Sequence, residues 1–188
     1  MIDYKTFKKG FLNEWVGQSQ VARKAAEELA NKDGERSLRD TYKPQNVVMT
    51  LNGRQVEFKG ENEKNPNDPK YNLFTYEEAM ERFGKPDKDG WRLPTKEEFV
   101  ALGRIPYVFD EERGIGIFGS ILGLPAAGLR YCFSHESFIG NSGCYWSATH
   151  FKSSEGDFAY RFKFSPRVLD IDYYAQCYGY SVRLLRDL

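Results

Sequence analysis

Three cysteines, Cys132, Cys144 and Cys177, and two histidines, His135 and His150, are the side chains best suited to metal, redox or nucleophilic chemistry. Their spacing argues against each use. No two cysteines stand at the CxxC interval, and the histidines lack the i, i+4 spacing that sets two imidazoles on one helix face. An odd number of cysteines argues against a disulfide framework and leaves room for one pair at most. No GxSxG, HExxH or Walker-type loop occurs either, so neither an activated serine, a zinc-bound water nor a phosphate cradle is marked. The expectation is a chain without catalytic residues, metal or cofactor.

Recognition is the chemistry that remains. Between 150 and 178 the sequence carries His150, Arg161, Lys163, Arg167, Asp170, Asp172, Tyr173, Tyr174, Gln176 and Tyr178. Tyrosine supplies large, rigid contact area at low entropic cost, and charges of both signs beside it match a paratope better than a solvated surface. These ten residues are the candidate ligand-binding set, expected on exposed strand faces and loops. Calcium does not fit this stretch: Asp170 and Asp172 offer two oxygens where the ion takes six to eight.

Composition narrows the partners. Lys and Arg number 27, as do Asp and Glu, so no field of one sign draws the chain to nucleic acid or to an anionic membrane. No apolar run has the length of a membrane span or the form of a signal peptide. Aromatics make up 15% of the residues and glycines number 17, a mixture suited to short strands and tight turns. The expected partner is a protein or glycan ligand on a cell surface, met by a soluble chain.

The elements that would position these residues are legible in outline. Tyr4, Phe7, Phe11 and Trp15 recur at helical spacing, continued by Val21, Ala25 and Leu29. Residues 1–40 therefore read as an N-terminal helical extension, whose stripe over 4–30 could form a homo-oligomer. Asn52-Gly53 between Val47–Leu51 and Arg54–Phe58 marks a type I′ hairpin. Thr75 with Glu78, and Thr95 with Glu98, are capping boxes that open two short helices. From Ile115 onward the pattern is strand and turn. In Ala159–Phe164, Tyr160, Phe162 and Phe164 alternate with Arg161 and Lys163; Leu169 and Ile171 alternate with Asp170 and Asp172; and Tyr180–Leu185 reads as a last strand.

Four phrases in order carry a resemblance: Gly90-Trp-Arg-Leu-Pro-Thr95, Leu124-Pro-Ala-Ala-Gly-Leu-Arg-Tyr131, Gly143-Cys-Tyr-Trp-Ser-Ala-Thr149 and Gly179-Tyr-Ser-Val-Arg-Leu-Leu-Arg-Asp187. Over residues 45–188 the chain resembles the major paralogous domain (FISUMP) family of gut bacteria, a branch of the C-type-lectin-like fold related to formylglycine-generating-enzyme domains. That resemblance implies an α+β domain of short helices packed on small antiparallel sheets, with the last strand near the first hairpin. It also raises formylglycine chemistry, which uses a cysteine pair near the domain's end. Here Cys177 stands alone there in sequence. Arg92, Arg130 and Arg183, which lie in these phrases, read as ties from loops to carbonyls.

The C-terminal stretch is also similar to the variable face of lectin-like proteins diversified by mutagenic retroelements, which rewrite adenines in Asn codons. Asp170, Asp172, Tyr173, Tyr174, Ala175, Cys177 and Tyr178 are all reachable that way, and Cys177 then reads as a chance product. The implied role is a recognition module displayed on a phage particle or bacterial surface; the alternatives are an assembly protein that oligomerises through its N-terminal helix and, behind it, a formylglycine-generating-type enzyme. If the retroelement reading holds, a near-identical repeat rich in Asn codons stands beside the gene, and sequencing that locus without finding one overturns it.

Overall fold

The computed structural model describes residues 44–132, 136–154 and 156–188. The expected helical extension over 1–40 and its proposed stripe over 4–30 fall outside the described residues, as does His135. Among those described, two short helices stand with small antiparallel sheets, an α+β arrangement.

The first hairpin forms where Asn-Gly requires it. Strands β1 (Val47–Leu51) and β2 (Arg54–Phe58) join through Asn52 at φ 50° and Gly53 at φ 78°, the left-handed pair of a type I′ turn. Val47, Met49 and Leu51 are buried while Val48 and Thr50 face out. The chain's last strand, β11 (Leu185–Asp187), pairs antiparallel with β2, Leu185 opposite Phe58. It is shorter than the pattern predicts. Tyr180 and Ser181 instead make single bridges to Phe74 and Tyr145, because this segment crosses between two sheets and cannot stay in one ladder.

Helices α1 (Tyr76–Phe83) and α2 (Lys96–Gly103) begin at Thr75 and Thr95, and both capping boxes are closed in both directions. Between them, Arg92 grips Glu98 through two bonds of 2.9 and 2.8 Å and reaches Asp187 at 2.9 Å. Arg183, 1% exposed, donates to the carbonyls of Lys59 and Gly60 and to Asn62. Arg130 bonds Asp68 at 2.9 Å. All three arginines tie distant segments together, but only Arg183 does so through carbonyls; Arg92 and Arg130 reach the carboxylates of Asp187 and Asp68.

Strands β3 (Tyr107–Asp110), β4 (Ile115–Phe118) and β5 (Leu122–Pro125) form one meander. The short pair β6 (Leu129–Arg130) and β7 (Glu136–Ser137) follows. The largest sheet is the meander β8 (Gly143–Ser153), β9 (Gly156–Ser165) and β10 (Val168–Ala175), with β9 in the middle.

This sheet carries core on both sides. Phe162, Phe164, Leu169, Ile171 and Tyr145 pack with Phe99 of α2 and Phe118 of β4; the Phe99 and Phe162 rings stack at 5.0 Å. On the other side Trp146, Ala159, Tyr180 and Val182 pack with Phe74, Tyr76 and Leu93. Trp146 is fully buried and donates its indole N–H to the Phe74 carbonyl at 2.8 Å, which satisfies the one polar atom of the largest core side chain. Trp91 is half-buried and packs against this second core from its margin, with Lys59 and Arg186 over its ring.

Gly143 explains one of the recurring phrases. A Cβ there would run into the ring of Phe164, which is itself held by Phe118, Tyr145 and Phe162. The glycine serves close approach of a ring to the backbone. Gly143→Ala is expected to lower stability by about 1–3 kcal/mol, the usual cost of overfilling a packed core, as read by urea denaturation.

Candidate functional site

Among the described residues, the side of the largest sheet that carries Phe162 and Phe164 is deeply buried along half its length. Over the half next to α2 and β4, Phe162, Phe164, Leu169 and Ile171 are between 0% and 7% exposed. Toward the β8–β9 hairpin the same alternation continues with Phe158, Tyr160 and Tyr173, joined by Phe151, and all four are only half-buried. Register causes the gathering: Phe151 lies opposite Phe158, and Tyr160 opposite Tyr173. Tyr173 sits at the centre, with ring centroids 4.8 Å from Phe151, 5.6 Å from Phe158 and 5.8 Å from Tyr160. Lys96, at the start of α2, places its ammonium 4.1 Å from the Tyr160 ring and marks where helical cover ends.

The opposite side holds a second aromatic group around Arg161. Predicted as exposed, Arg161 is 3% exposed. Its Nε and Nη2 bond both oxygens of Asp172 at 2.7 and 3.1 Å, and its Nη1 donates to the Tyr180 hydroxyl at 2.9 Å. The guanidinium lies 3.8 Å from the Tyr174 ring centroid, where the ring quadrupole favours a desolvated cation. Burial works against its charge, but the Asp172 carboxylate holds its pKa above the usual value. Burial also raises the pKa of Asp170, helped by Asp172 beside it. Outward from Arg161, the rings run Tyr180, Tyr178 and Tyr131, with Tyr174 also against Tyr178.

The ten candidate residues do not share one face. Tyr173 lies with Phe151 and Phe158, whereas Tyr174 and Tyr178 lie with Arg161 and Asp172. Lys163 stands opposite Asp170 on the Arg161 side. Arg167 occupies the β9–β10 turn, nine residues before Gln176 and so about 30 Å away along an extended chain. His150 is exposed on β8 across from Ala159, and Gln176 reaches back to the Phe158 carbonyl at 3.3 Å. Sequence reading missed Phe151, Phe158, Tyr160 and Tyr131; the period of two covers Tyr160, but only the pairing register brings Phe151 and Phe158 to Tyr173.

The three cysteines form the one pair for which their number leaves room. Cys132 and Cys177, 45 residues apart, form a disulfide with Cα atoms 4.8 Å apart, so Cys177, alone near the domain's end in sequence, has a partner in the fold. Cys144 is free, fully buried beside Arg161, and burial pushes its thiol pKa up. Among the described residues no group of three His, Cys, Asp or Glu side chains could hold a metal ion, and no helix is long and apolar enough to cross a membrane.

Compared with protein-family models, curated proteins and solved structures, the chain finds no match.

Arg161 and Asp172 form a structural pair, so removing one partner strands a buried charge. Asp172→Ala is expected to cost about 3 kcal/mol, while Arg161→Met together with Asp172→Ala recovers most of that loss, both read by urea denaturation. Equal stability of the single and double variants would contradict the pairing.

Proposed function

We propose that the chain is a non-enzymatic recognition module of the C-type-lectin-like class, related to the FISUMP family, which captures a protein or glycan ligand with the hairpin end of its central sheet. One observation carries the reading: among the described residues, the half-buried end of the sheet is as aromatic as its buried half. A strand face left to water normally alternates to polar residues. Here Phe151, Phe158, Tyr160 and Tyr173 continue the apolar side beyond the cover of α2. Such a cluster, with the Lys96 ammonium over the Tyr160 ring at its margin, has the makeup of an interface centre beside a polar rim.

The four ordered phrases support the lectin-like reading, since three of them have local physical roles: Pro94 and Thr95 lead into α2, Gly143 admits the Phe164 ring, and Arg183 anchors the 59–62 loop. The Cys132–Cys177 bridge supports display outside the cell, because disulfides persist in oxidising surroundings. Diversification by a retroelement belongs to the same reading, with Tyr173, Tyr174 and Tyr178 as variable contact residues.

The test is capture on glycan and protein arrays by the full chain and by two variants, Tyr173→Ala and Tyr178→Ala, with circular dichroism to show that each folds. Loss of an interface aromatic weakens binding by about 30-fold. A loss confined to Tyr173→Ala places the ligand on the α2 side of the sheet, and one confined to Tyr178→Ala places it on the Arg161 side. Full capture by both variants refutes the site.

A further inference from the structure

We propose that Cys132–Cys177 is a reversible redox clamp that fixes the Tyr131–Tyr178 side of the recognition surface. The bridge extends a very short ladder. Arg130 and Gly179 form an isolated antiparallel pair, with Arg130 N–H donating to the Gly179 carbonyl at 2.9 Å and Gly179 N–H to the Arg130 carbonyl at 2.8 Å. The same register sets Tyr131 against Tyr178, whose rings meet edge to face at 5.7 Å, and then Cys132 against Cys177. Beyond the two hydrogen bonds, the disulfide is the covalent tie that keeps these segments together.

Its position makes it accessible without unfolding. Cys177 is exposed, just before Tyr178, whose N–H closes a turn onto the Ala175 carbonyl at 3.2 Å; Cys132 is half-buried. Exposed bridges of this kind are the ones open to thiol exchange. A thiolate of a dithiol reductant attacks Cys177 Sγ, forms a mixed disulfide and expels Cys132 as a thiolate, which takes a proton. The reductant's second thiol then attacks its own sulfur in the mixed disulfide, closing to a cyclic disulfide and leaving Cys177 as a thiol. Two electrons and two protons pass to the protein, and a disulfide oxidant reverses the exchange. Cys144 takes no part, being fully buried against Ser142 and Arg161.

Reduction acts locally because the deeper contacts do not use the bridge. Arg161 stays on Asp172 and Tyr180, and Trp146 stays on the Phe74 carbonyl. Tyr131 and Tyr178 lose their fixed spacing, and Tyr178 is the ring through which Tyr131 connects to Tyr174 and Tyr180. What the clamp regulates rests on the recognition reading; the clamp itself is measured without ligand, so failure of one is distinguishable from failure of the other.

The experiment is thiol titration and amide hydrogen exchange on the full chain, with and without dithiothreitol under native conditions. Untreated protein should show a single thiol, reached only in denaturant. Dithiothreitol should release two more while far-UV circular dichroism is unchanged. Exchange at the Gly179 and Arg130 amides should rise about tenfold or more, as expected when a locally clamped pair begins to open, with Trp146 and Phe162 unaffected. Cys132→Ser/Cys177→Ser should match the reduced protein and ignore dithiothreitol, whereas Cys144→Ser should respond as the parent does. Three thiols in untreated denatured protein, reduction only on unfolding, or unchanged exchange at Gly179 would each overturn the proposal.

Discussion

Arg161 is a charged residue in the middle strand of the largest sheet, and it is 3% exposed. A buried guanidinium is tolerable only where its charge and its donors are met. Asp172 on the neighbouring strand meets the charge in a two-bond fork, Tyr180 accepts a further bond, and Tyr174 offers its ring face. That arrangement lets β9 be covered on both sides, and double cover in turn decides what else can stand in the sheet. Trp146 opposite Arg161 must satisfy its N–H inside the protein, and it does so at Phe74. Gly143 must remain glycine because the other side of the sheet is filled by rings.

The same constraint divides the aromatic surface of the sheet. Among the described residues both faces are filled near α2 and β4, and toward the β8–β9 hairpin two half-buried aromatic groups emerge on opposite sides. They are built differently. The Tyr173 group is held by strand register and by Lys96 at the start of α2. The Tyr178 group is held by ring contacts to the Arg161 cluster and by a disulfide on a single bridged pair. One stands on paired strands of the sheet and the other is a clamped loop, so their rigidity has separate physical origins.

Much of the local structure was legible because its causes are local. Asn52-Gly53 dictates its turn by backbone sterics, Thr75 and Thr95 dictate helix starts through bonds three residues long, and alternation in Ala159–Phe164 announces a strand with two unlike sides. The tyrosine-rich stretch at 173–178 was visible as composition. Which side each tyrosine takes was not, since adjacent residues on a strand point in opposite directions and Tyr173 and Tyr174 therefore separate. Strand β3 escaped notice because Tyr107–Asp110 is four residues long and too short to show a period.

By itself, then, the sequence determined the turns, the helix caps, the alternation of β9 and an aromatic, charge-balanced C-terminal stretch, all set by bonds and sterics within a few residues. Tertiary structure alone decided that Arg161 lies inside, because its solvation depends on Asp172 eleven residues away and Tyr180 nineteen away. It alone joined Cys132 to Cys177 across 45 residues, and it alone brought Phe151 and Phe158 to Tyr173. Each of these is a pairing between segments, and which segments lie side by side is settled by the packing of the whole domain.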